Sequence, residues 1–343
     1  MVRSFDILTF IVIFASQAAA VFKIEQCSSN DWNRLDKAQR EAQSVASKAL
    51  DALNSGKIDN NEATFHGAYD PVFQPGARDQ VKKVFERIGE IATSQDYIVT
   101  FYCTNDHVKL ETHDASGEQW YDTAFINSGT ENNGIAIPAV IDQDPAEKRL
   151  GKKPGDSESF TVLGWAPDAP KKDFSNQAHI FIENGAINPP NDSPFDTRWL
   201  YEIVDQGFAR GKSMIDNIRG PTTTVLHELV HVAGGLISPN SRGANIDDGP
   251  SGVVYTWLYC FMANTQQEAR DMGLKTEKYA DCYAMFAQAC YLQIKKTNNP
   301  PTCWNTGKVF PDTLESVPAD QPVPQKRSTV SEARARWHAR SLA

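Results

Sequence analysis

His227, Glu228 and His231 stand in the run His227-Glu228-Leu229-Val230-His231, the one stretch of the chain whose residue types and spacing together name a chemistry. Side chains four apart on an α-helix share a face, with Cβ atoms about 6 Å apart. Two imidazoles at that offset can converge on one zinc ion at Zn–N distances of roughly 2.0–2.1 Å. Glu228, one step round the helix from His227, would stand beside the open position of the ion. A carboxylate there can take a proton from a water whose pKa the ion has lowered to about 7.

The residues around the motif are those of a buried helix. Val225, Leu226, Leu229, Val230 and Val232 supply an apolar face that packs the helix and dries the site. Pro221 suits a first turn and Gly234-Gly235 suits a stop, which predicts a helix from about Thr222 to Ala233. On a helix, H-E-x-x-H is the zinc-binding and catalytic element of metallopeptidases. A catalytic zinc needs a third protein ligand, and the chain offers several. Asp247 or Asp248 follows in Gly243-Ala244-Asn245-Ile246-Asp247-Asp248. Glu277 lies four positions ahead of Asp281, an arrangement in which a helical Glu ligates and the Asp orients a His. Asp281 itself is the remaining choice. His66, His107, His113, His179 and His338 have no partner at ligand spacing and are set aside.

The elements that must position these residues are mixed. Asp31 to Leu53 carries Ala and apolar residues at helical spacing, and a second helix is predicted from about Ala77 to Ser94. Tyr97 to Cys103 and Ala178 to Ile182 are β-branched or aromatic runs that read as strands. Residues 141–177, rich in Asp, Lys, Pro and Gly, and 184–196, rich in Asn and Pro, read as long surface loops. Helical pattern returns over 197–219, through the H-E-x-x-H helix, and over about 261–295. Helices at both ends with a few strands between them predict an α+β fold, helix-rich with a small sheet.

Met1 to Ala20 has the layout of a secretory signal peptide: a basic Arg3, an apolar core from Ile7 to Ala15, and Ala18-Ala19-Ala20 as a cleavage site. That core is too short to span a bilayer, and no later stretch approaches 18 uncharged apolar residues, so no membrane association is expected. All six cysteines follow the leader, an even number suited to disulfides outside the cell; none shows C-x-x-C spacing. Six cysteines allow 15 connectivities, which the spacing leaves open. Cys282 and Cys290, about two helical turns apart, are too far from each other to pair. A net charge of −9 provides no basic patch for nucleic acid. The chain divides into a leader over 1–20, one metallopeptidase domain over 21–310, and a Pro-rich then basic C-terminal tail over 311–343 predicted to be disordered. Lys326-Arg327 in that tail is a possible dibasic processing site.

The order of further segments resembles the aspzincin metallopeptidases, the deuterolysin-type and lysine-specific secreted endopeptidases. Gly243-Ala244-Asn245-Ile246-Asp247 is similar to the first half of the family's G-T-x-x-D segment, with Ala for Thr. Tyr255-Thr256-Trp257-Leu258-Tyr259-Cys260 is similar to its Y-G-Y-x-x-C. The run from Ala280 to Ala287 matches its later N-A-D-x-Y-x-x-F-A helix, and Phe101-Tyr102-Cys103 stands where the family has a Y-Y-C strand. The similarity covers roughly Cys27 to Leu292. It implies a zincin-like fold with one zinc ion held by His227, His231 and Asp247, Glu228 as general base, and Tyr255 as donor to the oxyanion. It places Asp281 near the pocket that receives the side chain after the scissile bond. The Asp-to-Tyr interval is longer here than in the family, which keeps Asp248 open as the ligand. Ala284 stands where lysine-specific members carry a second carboxylate, so strict lysine specificity is not expected.

The expected function is that of a secreted, monomeric zinc endopeptidase acting on protein or peptide substrates, with no nucleic-acid or membrane partner. The alternative is a secreted zinc-scavenging or antigenic protein of the same fold without hydrolysis, in whose relatives Arg replaces the motif's Glu. A third reading is a surface or adhesion protein that retains only the fold.

Overall fold

The computed structural model describes residues 22–93, 97–104, 106–113, 117–124, 135–136, 164–165, 177–182, 184–193, 195–207, 215–237, 246, 257–271 and 273–293. The predicted leader over 1–20 and the predicted tail over 311–343, together with Asp247, Asp248 and Tyr255, lie outside the described residues, as does most of 141–177.

β1 (Phe22–Glu25) leads into the 27-residue α1 (Ser29–Ser55). Ser28 opens α1 by accepting a hydrogen bond from the Asp31 N–H, and Gly56, in the left-handed region at φ 68°, closes it. Leu35, Ala38, Ala42, Val45, Ala46, Ala49, Ala52 and Leu53 form its buried stripe. The small side chains of that stripe let other helices approach closely. α2 (Glu62–Tyr69) follows, capped by Asn61, then a 3₁₀ turn over Pro75–Ala77 and α3 (Arg78–Thr93). Next come β2 (Ile98–Tyr102), β3 (Val108–His113), β4 (Gly117–Asp122), β5 (Ile135–Ala136), β6 (Gly164–Trp165) and β7 (Gln177–Ile182). The remaining helices are α4 (Asn184–Ile187), α5 (Leu200–Gln206), α6 (Pro221–Ile237), α7 (Trp257–Thr265), α8 (Gln267–Asp271) and α9 (Ala280–Leu292).

β1, β2 and β7 run parallel in that spatial order, and β6 adds antiparallel to the outer side of β7. In the register of β2 and β7, Thr100 lies opposite His179 and Tyr102 opposite Phe181. β3, β4 and β5 form a separate antiparallel sheet. The helical layer is built on α1, α3, α6 and α9, which pack on one another. Nearly every side chain of α9 is buried, so this helix is surrounded by protein and marks the centre of the core. Phe65, Tyr69, Phe73, Phe85, Tyr283 and Phe286 make a continuous aromatic cluster on it, mostly edge-on or tilted. The mixture of packed helices with small sheets agrees with the α+β expectation.

Several expectations need correction. The H-E-x-x-H helix does not stop at Gly234-Gly235 but runs on to Ile237. Over 184–196 the chain forms the short α4 before becoming irregular. Among the described residues of 197–219, the helical ones form α5 and a 3₁₀ turn at Ile215–Asn217. The pattern over 261–295 is broken into α7, α8, a 3₁₀ turn at Thr276–Lys278, and α9. Gly273, at φ 72°, marks the break after α8. α2 and the β3–β4 hairpin carry little sequence signal: α2 is short, and the hairpin sequence is rich in charged residues.

Disulfides join Cys27 to Cys103 and Cys260 to Cys282, while Cys290 is a buried free thiol. The first ties the ends of the neighbouring strands β1 and β2. The second ties α7 to the first turn of α9. Among the described residues, no helix is long and apolar enough to cross a membrane.

Candidate functional site

The site is set by how α6 is held. Its first turn is tethered on two sides: Thr222 Oγ1 donates to Glu41 Oε2 on α1, and Thr223 Oγ1 donates to Gln288 Oε1 on α9 at 2.7 Å. Glu41 is buried, and its other oxygen accepts from the Tyr201 N–H at 2.7 Å, so the carboxylate has donors in place of water. Gly220, just ahead of the helix, must lack a side chain because a Cβ there would lie 2.7 Å from the Arg198 carbonyl oxygen. These contacts leave the helix little freedom to shift along its axis.

On this helix His227 and Glu228 are buried and His231 is partly exposed. His227 Nδ1 lies 2.8 Å from Asp281 Oδ1, and His231 Nδ1 lies 2.8 Å from the backbone carbonyl oxygen of Ile246. Both partners are acceptors, so both Nδ1 atoms donate. In a neutral imidazole that makes Nε2 the lone-pair nitrogen. The two Nε2 atoms face each other at 3.1 Å, with the rings at 72°. Two ligands on a tetrahedral ion at roughly 2.0–2.1 Å are about 3.3 Å apart, so the pair fits one zinc ion. The donor set, two neutral imidazoles each anchored from behind, is the arrangement metal-ligating histidines take.

Asp281, at the start of α9, is 3% exposed and stands behind His227, on the side away from Nε2. Its position is that of a group orienting His227, not of a ligand sharing an ion with the two Nε2 atoms. Its second oxygen lies 3.9 Å from Arg219. The Cys260–Cys282 disulfide pins the residue next to it.

Gly234 explains how the Ile246 carbonyl reaches His231. A Cβ on Gly234 would lie 2.7–2.9 Å from three side-chain atoms of Ile246, so the missing side chain lets Ile246 pack against α6. Ile246 itself is almost fully buried. Gly234, inside the helix rather than at its end, is a seat for the Ile246 side chain.

Glu277 does not share a helix with Asp281. It sits in the preceding 3₁₀ turn, its backbone carbonyl accepting from Tyr283 Oη at 2.7 Å and from Gln80 Nε2 at 3.1 Å. Among the described residues it does not join His227 and His231 in a three-residue ligand cluster.

A second group lies away from the helix pair and includes two of the histidines that have no partner at ligand spacing in the sequence. His107, Asp122 and His179 each offer a ligand atom within 4.8 Å of the other two, and together they could hold a metal ion. His179 Nδ1 lies 2.7 Å from Asp122 Oδ2, while His107 Nε2 is 3.8 Å from the same oxygen. Burial pushes the His107 imidazole below its usual pKa, against the opposing pull of Asp122. The spacing of these residues in the chain carries no signal, since strand pairing and a hairpin bring them together. The β-branched and aromatic run around His179 shows only that it lies on a strand.

No protein-family model matches the chain, and no curated protein matches it.

Proposed function

We propose that this protein is a secreted zinc metalloendopeptidase with a zincin-like fold of aspzincin type. The observation that carries the proposal is the His227–His231 pair, with Nε2 atoms 3.1 Å apart and each Nδ1 held by an acceptor. Zinc held there supplies Lewis acidity toward a peptide carbonyl and lowers the pKa of a bound water. Glu228, adjacent to His227 on the same buried helix, takes a proton from the attacking water and delivers it to the leaving amine. Asp281 keeps the His227 ring in the tautomer and orientation that present Nε2, and the Ile246 carbonyl does the same for His231. Asp247, or its neighbour Asp248, completes the ligand set in this reading, and Tyr255 donates a hydrogen bond to the oxyanion. The support for Asp247 is that it follows Ile246, the residue in contact with His231. The two disulfides suit an extracellular protein.

The test is digestion of casein by the wild-type chain and by Glu228→Gln, with zinc content measured for both. The expected result is a loss of activity of roughly 10²–10⁴-fold with the metal retained. Proteolysis that survives the substitution refutes the general-base role, and metal bound by an inactive wild-type chain favours a zinc-scavenging protein. Asp247→Ala should release zinc while Glu277→Ala should not; the reverse moves the third ligand to Glu277.

A further inference from the structure

We propose that His107, Asp122 and His179 form a second, structural site for a zinc-class divalent cation, one that clasps the β3–β4 hairpin to the parallel sheet. The proposal does not depend on the H-E-x-x-H site or on any hydrolytic activity.

The first ground is placement. His179 lies within β7, Asp122 ends β4, and His107 immediately precedes β3. Thr123 closes the base of the hairpin by donating to the His107 carbonyl from its N–H at 2.8 Å and from Oγ1 at 2.6 Å. Two of the three groups therefore belong to the hairpin and one to the sheet. Tyr102 of β2 stacks on the His107 ring at 3.8 Å between centroids and meets the His179 ring edge-on at 5.1 Å, which holds both rings in place.

The second ground is an unanswered lone pair. His107 is 4% exposed, and its Nε2 is buried with no hydrogen-bond partner. Its Nδ1 faces Gln26 Oε1, an acceptor, at 3.4 Å, which makes Nδ1 the donor and leaves a lone pair on Nε2. That nitrogen lies 3.8 Å from Oδ2 of Asp122, a residue itself 0% exposed. A cation shared by His107 Nε2 and the Asp122 carboxylate, 3.8 Å apart in a buried setting, would satisfy both at once. His179 Nδ1 and His107 Nε2 lie 2.7 and 3.8 Å from Asp122 Oδ2, on either side of the roughly 3.3 Å between ligands of a tetrahedral zinc ion, and the proton that His179 Nδ1 shares with Asp122 would be released when the ion binds. The other carboxylate oxygen accepts from the Ala124 N–H at 3.0 Å, anchoring the group from behind.

Two imidazoles and one carboxylate favour zinc, cobalt or nickel over calcium or magnesium, which take oxygen ligands. Complete burial fits a structural ion with no access for substrate.

The experiment uses the full secreted chain carrying His231→Ala, which removes the helix pair, stripped of metal and then titrated with Co²⁺ and Zn²⁺. One equivalent of Co²⁺ with a visible d–d spectrum is expected, together with a thermal midpoint raised by about 4–5 °C at a zinc concentration roughly 100-fold above Kd. Adding His107→Gln, or in a separate chain Asp122→Asn, should abolish both signals. A His231→Ala chain that binds no Co²⁺, or a bound equivalent that persists in both double variants, overturns the site. Failure of the helix site alone would look different: a wild-type chain binding a single ion that His107→Gln removes and His231→Ala does not.

Discussion

Asp281 Oδ1 and His227 Nδ1 are 2.8 Å apart, both buried, although the two residues come from different helices. The contact fixes which nitrogen of His227 faces the proposed ion, so the start of α9 controls the chemistry of α6. Asp281→Ala should weaken zinc binding about 10–100-fold without unfolding the protein, as loss of such supporting contacts does elsewhere. Asp281→Asn, which keeps an acceptor oxygen, should lose less. Competition with a chromogenic chelator measures both, and wild-type affinity in the Ala variant would remove Asp281 from the site.

Gly234→Ala should cost about 1–3 kcal/mol, because its Cβ would meet Ile246 at 2.7 Å in a packed interior. It should also weaken metal binding by displacing the carbonyl that holds His231. Gly89 of α3 is the control: nothing lies within 4 Å of a Cβ there. Gly89→Ala should stabilise by roughly 0.5–1 kcal/mol, the gain of alanine over glycine in a helix. Urea denaturation of the two variants should shift in opposite directions.

Stability should fall at alkaline pH. Burial raises the pKa of the Tyr69 and Tyr283 phenols and of the Cys290 thiol above their usual values. For a group whose folded pKa is raised, the neutral form is favoured by folding. Its contribution is complete below the unfolded pKa, about 10 for Tyr and 8.5 for Cys, and disappears as pH climbs through the folded value. The urea midpoint should therefore drop between pH 8 and pH 11. Cys290 should resist thiol reagents at pH 8 until denaturant is added, and rapid labelling of the native protein would contradict its burial.

The local order of the chain was legible where a pattern repeats. The stripe of α1, the apolar face around His227 and the runs of β2 and β7 needed only periodicity to be read, because burial imposes it on any helix or strand. Helix ends were less legible. Gly234 was ambiguous because a glycine that ends a helix and one that admits a neighbour look alike until the neighbour, Ile246, is in place. The sequence also separated Asp281 from surface carboxylates only through its apolar company.

By itself the sequence determined the pairing of His227 with His231, since four residues on a helix is a local distance. Which nitrogen each ring presents was decided by tertiary structure, because Asp281 and the Ile246 carbonyl arrive from other parts of the chain. The same holds for His107, Asp122 and His179. Their meeting depends on strand register and on a hairpin folding against a sheet, contacts between distant residues that no local spacing encodes.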